Sequence, residues 1–194
     1  MKKTGLVLAL SACIALSACG NDNDKQDELA NDVGAEDPTV TTWQAPEIRG
    51  PLEKTDQTDA SAVGEAVTKQ IFSWDAAHDR SSGSAARKAE PLMNEDFATG
   101  NRNSWEAMLK IPGKQWEGWV ADEAVASVEL TEGLEQRPPD TEMEAFRQYS
   151  VDVTMKGKQD ETKIHYDVFV TLEHLGWWRV NDMQISQPQF PAAR

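Results

Sequence analysis

Residues 149 to 185, YSVDVTMKGKQDETKIHYDVFVTLEHLGWWRVNDMQI, decide the fold. Tyr149, Val151, Val153 and Met155 alternate with polar residues, and Ile164, Tyr166, Val168, Val170 and Leu172 do so again. A period of two puts every apolar side chain on one face of a strand and leaves the other face wet. Between the two runs, Lys156 to Glu161 with Gly157 reads as a polar hairpin loop. Leu175 and Gly176 then make a tight turn into Trp178, Val180, Met183 and Ile185. Connections this short join antiparallel neighbours, because a parallel crossover needs a dozen residues or more. Upstream, Val125 to Thr131 alternates in the same way and supplies a fourth strand.

Towards the amino terminus the period changes. Val63, Val67, Ile71, Trp74 and His78 recur at spacings of four and three, with Ala66 and Phe72 on neighbouring faces, which predicts a helix capped by Asp59 or Ser61. Glu65 favours the positive end of its dipole. A loop at Arg80 to Gly83 precedes an Ala-rich helix from Ser84 to Glu90 that stops before Pro91, and Asn94 caps a further turn through Phe97. Helices followed by strands give an α+β class: amino-terminal helices packed on a curved antiparallel sheet of about four strands.

The chain has 194 residues with a net charge of -14, which suits one domain with appendages. A surface so acidic repels phosphate backbones, so nucleic acid is not an expected partner. The two cysteines, Cys13 and Cys19, both precede residue 20, so the body of the chain holds neither a disulfide nor a thiolate metal site. No metal-ligand, phosphate-cradling or Ser-His-Asp spacing occurs, and no cofactor is expected.

Lys2 and Lys3 precede an apolar stretch, residues 5 to 18, that is too short to span a bilayer and reads as an export signal. It ends in Leu16-Ser17-Ala18-Cys19, which resembles the lipobox of bacterial lipoproteins. That resemblance implies cleavage before Cys19, a diacylglycerol thioether on its sulfur and long acyl chains such as palmitate. Two or more chains make such an anchor effectively permanent. The expected organisation is a signal over 1–18, a lipidated acidic tether over 19–60 and a folded domain over 61–194, held at the extracytoplasmic face of the cell membrane. The tether is rich in Asp, Glu, Asn, Thr and Pro, too poor in apolar surface to offset chain entropy, with Trp43 and Ile48 as exceptions.

Ile71-Phe72-Ser73-Trp74-Asp75, the segment from Ser82 to Glu90, the Pro91-Leu92 turn, the Trp-rich centre and the Gly-Trp-Trp-Arg-Val strand resemble actinobacterial lipoproteins with a nuclear transport factor 2-like fold. The likeness covers about residues 61 to 188. It implies a cone of helices and bent sheet, in a fold that serves isomerases, dehydratases, ligand carriers and non-enzymatic subunits of secretion and envelope machines.

Three groups of residues are candidates for function. Asp75, His78, Asp79 and Arg80 form the densest polar cluster: a carboxylate beside an imidazole suits general acid and base work in a pocket, and a solvated helix end otherwise. His165 and Asp167 share a strand face while Tyr166 points to the other, the alternation of a sheet with one wet side. Trp105, Trp116, Trp119 and Trp177 would line a pocket for a small apolar ligand, form a partner-facing patch, or close the core. The expectation drawn from all this is a non-catalytic, membrane-anchored assembly or interaction module that contacts another envelope protein. The alternatives are a carrier with a Trp-lined cone and, third, a small isomerase or hydrolase.

Overall fold

A computed structural model describes residues 45–133 and 137–191. Cys19, the export signal and Trp43 lie outside the described residues.

Helix α1 (Ala60–Phe72) begins where Asp59, in extended conformation, accepts from the amides of Ser61 at 2.8 Å and Ala62 at 3.4 Å. This satisfies donors that a first turn otherwise leaves unpaired. Its stripe of Val63, Val67, Ile71 and Phe72 is fully buried. A Cβ on Gly64 would stand 2.8 Å from the Tyr149 hydroxyl oxygen, so the helix rests on the sheet at a residue without a side chain. α2 (Gly83–Arg87), a 3-10 turn (Glu90–Leu92), α3 (Glu95–Asn101), α4 (Trp105–Leu109) and α5 (Gly113–Ala121) follow. Asn94 caps α3 as expected, accepting from Asp96 N at 2.8 Å and Phe97 N at 3.2 Å.

Strands β1 (Val125–Glu132), β2 (Glu144–Lys156), β3 (Glu161–His174) and β4 (Trp178–Ile185) form one antiparallel sheet in the order β1-β2-β3-β4. The architecture is the α+β arrangement expected, with α1 packed against all four strands. Tyr149, Val151, Val153 and Met155 on β2 face the core together with Ile164, Tyr166, Val168, Val170 and Leu172 on β3. A register shift between Thr171 and Leu172 leaves Asn181 as an extra residue in β4, which is why the consecutive residues Asn181 and Asp182 are both exposed while Val180 and Met183 both face the core.

Two expectations need correction. The first helix does not reach His78. It stops at Phe72, Ser73 Oγ donates to the Lys69 carbonyl at 2.7 Å, and the chain turns out to run beside β1. There Asp75 bridges Val125 and Ala126 N donates to Trp74 O at 2.7 Å, so sheet pairing takes the backbone that a further helical turn would have used. The tether does not extend to residue 60 either. Ile48 and Leu52 are buried in the core, Trp178 N donates to Gln57 O at 2.8 Å, and Gln57 Nε2 donates to Pro46 O at 2.9 Å. Two isolated aliphatic side chains and one β4 amide hold this acidic stretch in place without any periodic pattern.

Candidate functional site

The interior is occupied by side chains. Phe72 packs on Tyr166 with ring centroids 4.8 Å apart and edge-on to Trp74 at 5.7 Å. Trp74 stacks on Trp119 at 6.0 Å and meets Trp116 edge-on at 6.5 Å. The Tyr166 hydroxyl donates to the Leu109 carbonyl at 3.2 Å, and burial pushes its ionisation far up, so this phenol stays neutral. Trp105 is completely buried, edge-on to Phe97 at 5.9 Å.

The four candidate tryptophans are therefore not one surface. Trp105 is core, Trp119 is buried beside half-buried Trp116 under Trp74, and Trp177 stands half-exposed elsewhere. There the Arg179 guanidinium lies 5.4 Å from its ring centroid. Trp178, next to it, is half-buried against His174 at 4.9 Å.

The cluster at 75 to 80 separates into two parts. His78 Nδ1 donates to Asp75 Oδ2 at 2.9 Å, but the imidazole is 82% exposed, on a turn with no walls around it. Asp79 instead points inward: Oδ2 accepts from Asp75 N at 3.0 Å, and Oδ1 pairs with Lys88 Nζ at 2.8 Å. Its carboxylate closes the turn after α1 and fastens it to the end of α2. Arg80 is exposed.

His165 has more company than its own strand provides. Its Nδ1 donates to Asp152 Oδ1 on β2 at 2.8 Å, and Nε2 lies 3.6 Å from Asp167. The hydrogen bond to Asp152 raises its pKa, partial burial opposes the rise, and the two carboxylate charges add to it. The outer sheet face beside it forms a cleft of about 460 Å³ whose wall is the carboxy-terminal segment at Gln189 to Pro191. Gln189 holds that wall by exchanging two backbone hydrogen bonds with His165, each 2.9 Å.

Two buried arginines were not anticipated. Arg147 donates to Ser61 Oγ at 2.8 Å, to Asp140 at 2.9 Å and to the Phe146 carbonyl at 2.6 Å. Its Asp140 partner is held below the usual carboxylate range by that bond. Arg179 donates to Gln57 Oε1 at 2.6 Å and to the Trp178 carbonyl at 2.7 Å, and burial lowers its pKa to about 10. The signal for Arg147 was present in the sequence, since it continues the inward parity of Tyr149 and Val151. Both side chains serve to tie the sheet to the helix layer and to the segment before it.

No protein-family model and no curated protein matches the sequence. Among solved structures, an IcmL-like type IV secretion system protein from Legionella pneumophila is similar at 13% identity and a TM-score of 0.48. The match covers 72% of this chain and 99% of that one. A periplasmic fragment of TraM is similar at 16% identity and a TM-score of 0.43, with 68% and 98% covered.

Proposed function

We propose that the protein is a non-catalytic lipoprotein, anchored through Cys19 at the extracytoplasmic face of the cell membrane, whose folded domain works by contacting another envelope protein. The observation that carries this reading is the filled interior. Phe72, Trp74, Tyr166, Leu109 and Leu172 fill the space between the helices and the sheet, which favours a domain that acts through its surface. The candidate acid-base pair, Asp75 and His78, sits on an open turn, and Asp79 already has a structural partner in Lys88. Among the described residues no helix is long and apolar enough to cross a membrane.

The test is made on the full chain expressed in a bacterium with an alkynyl palmitate label. Wild type takes up the label and enters the detergent phase, whereas Cys19→Ser, lacking the thiol that the thioether requires, does neither. Crosslinking on intact cells then gives a discrete heteromeric species with wild type and a weaker one with Cys19→Ser. Equal labelling of both chains removes the anchor from this reading. A labelled wild type that crosslinks to nothing removes the assembly role.

A further inference from the structure

Strand β1 is an edge of the sheet, and among the described residues only its beginning is paired on that side. Ala126 N donates to Trp74 O at 2.7 Å and Ala76 N to Ala124 O at 2.9 Å, on the side away from β2. Gly133 N, of the opposite parity, donates to Gln148 O on β2 at 2.8 Å. Backbone groups alternate sides along a strand, so Val128, Leu130 and Glu132 direct their N–H and C=O groups outward, where no described residue pairs with them. By contrast the β4 edge is occupied: Val180 O accepts from Asn94 N at 2.8 Å, and Ile185 O from Lys110 Nζ at 3.1 Å.

The two faces of this open edge differ. On the inner side Val128 and Leu130 are only partly covered by the core they pack against. On the outer side Glu129 stands directly opposite Asp152 in the register, a like-charge pair on one face, and both border the cleft walled by Phe190. Of the cations in that cleft, His165 is bonded to Asp152 at 2.8 Å and Lys163 lies 3.9 Å from Glu161. Among the described residues no cation pairs with Glu129.

We infer that the open edge of β1 takes an added strand from a partner protein, one that alternates aliphatic residues with Lys or Arg. Its backbone would pair with Val128, Leu130 and Glu132, its aliphatic side chains would extend the Val128 and Leu130 surface, and its cations would stand opposite Glu129. Charge selects this occupant over the two nearest competitors. A second copy would bring its own Glu129 and a net charge of -14 to the edge, and the acidic residues between 21 and 44 would add the same sign.

The inference rests on the assembly reading, and its test separates the two. Two synthetic peptides, alternating Val with Lys and Val with Glu, are titrated into the full chain while amide hydrogen exchange is followed. The Val/Lys peptide is expected to bind about tenfold more tightly or better, since several cross-strand charge pairs change sign between the two. The amides of Val128 and Leu130 should gain protection, and Glu129→Lys should weaken or invert the preference while the melting temperature holds or rises, since the like-charge pair with Asp152 is relieved.

Binding without protection at those amides overturns the inference in favour of simple surface attraction. Protection already present in the free chain also overturns it, marking a second copy if it depends on protein concentration and the chain's own residues if it does not. A crosslinked partner in cells together with no peptide binding leaves the assembly reading standing and this edge wrong. Peptide binding with no cellular partner does the reverse.

Discussion

Arg179 donates through Nη2 to Gln57 Oε1 at 2.6 Å, joining the last strand to a segment that precedes the first helix. The backbone repeats the link, since Trp178 N donates to Gln57 O at 2.8 Å. Beside it Ile48 and Leu52 are 8% and 5% exposed. A chain that begins at Ala60 therefore loses two large buried side chains, at roughly 1.5 to 3 kcal/mol each, and leaves the Arg179 guanidinium with the Trp178 carbonyl but without Gln57. It should be less stable than the chain from Ala45 by about 3 to 6 kcal/mol in urea unfolding. Equal midpoints would show that residues 45–59 contribute nothing.

Trp74 and Trp178 should respond very differently to truncation. Trp74 is fully buried among Phe72, Trp116 and Trp119, whereas Trp178 is half-exposed over His174. Trp74→Ala is expected to cost about 3 to 5 kcal/mol, the range for emptying a large aromatic site, and Trp178→Ala clearly less. The Trp74 indole N–H has no hydrogen-bond partner among the described residues, so Trp74→Phe gives up packing alone and should retain most of the stability. Thermal melts of the three variants rank them, and a Trp178→Ala loss as large as that of Trp74→Ala contradicts this assignment of the core.

The hairpin between β2 and β3 is held by Asp122, whose carboxylate accepts from Gln159 N at 3.0 Å and Asp160 N at 3.1 Å. A Cβ on Gly157 would fall 1.8 Å from Asp122 Oδ2, so at this position only glycine lets the loop approach. Gly157→Ala should destabilise by about 1 to 3 kcal/mol, as overpacking does. Combined with Asp122→Ala it should add much less, because the carboxylate is gone and only the residue 122 Cβ, 3.0 Å away, still crowds the site. Strict additivity in this double-mutant cycle would place the strain elsewhere.

Much of this fold was legible because its sheet is one-sided. Alternation located all four strands, and the cap at Asn94 located α3. The helices α4 and α5 were not anticipated, since the first has five residues and the tryptophans of both alternate core and half-exposed positions without a clear stripe. The end of α1 was misplaced because Trp74 and His78 continue the helical spacing by coincidence: Trp74 reaches the same core from an extended backbone that pairs with β1. Burial of Ile48 and Leu52 had no pattern to announce it, as two aliphatic residues in an acidic stretch carry no period. At the candidate sites, identity was legible and setting was not. Asp79 and Arg80 look equivalent in sequence, yet one is buried against Lys88 and the other is exposed.

Stability should depend on pH through His165. Its pKa in the folded protein is raised, by the hydrogen bond to Asp152 and by the charges of Asp152 and Asp167, above an unfolded value of about 6.5. The groups around it are Asp152 on β2, Asp167 and Lys163 on β3, and Glu129 on β1 across from Asp152. The folded state thus binds the proton more tightly than the unfolded state. Its contribution is complete below about pH 6.5 and disappears as pH rises through the folded pKa. His165→Gln should flatten that segment of the melting-temperature profile while leaving the acid limb unchanged. A wild-type profile that rises between pH 6.5 and 8 would reverse the sign and contradict the assignment.

The cluster at 75 to 80 supplies the sharpest contrast between neighbours. His78→Ala removes a ring that is 82% exposed and one surface hydrogen bond, so its cost should stay within about 0.5 kcal/mol. Asp75→Asn keeps the backbone amide that Asp79 accepts from and should be equally mild. Asp79→Ala is different, because its side chain is 5% exposed and holds both Asp75 N and Lys88 Nζ. Removal leaves a part-buried amide unpaired and frees α2 from the turn, for a loss of about 1 to 3 kcal/mol. Chemical denaturation separates these outcomes. Should His78→Ala or Asp75→Asn instead abolish partner crosslinking in a chain that melts normally, the open turn would have to be read as part of the partner-facing surface and no longer as a solvated turn.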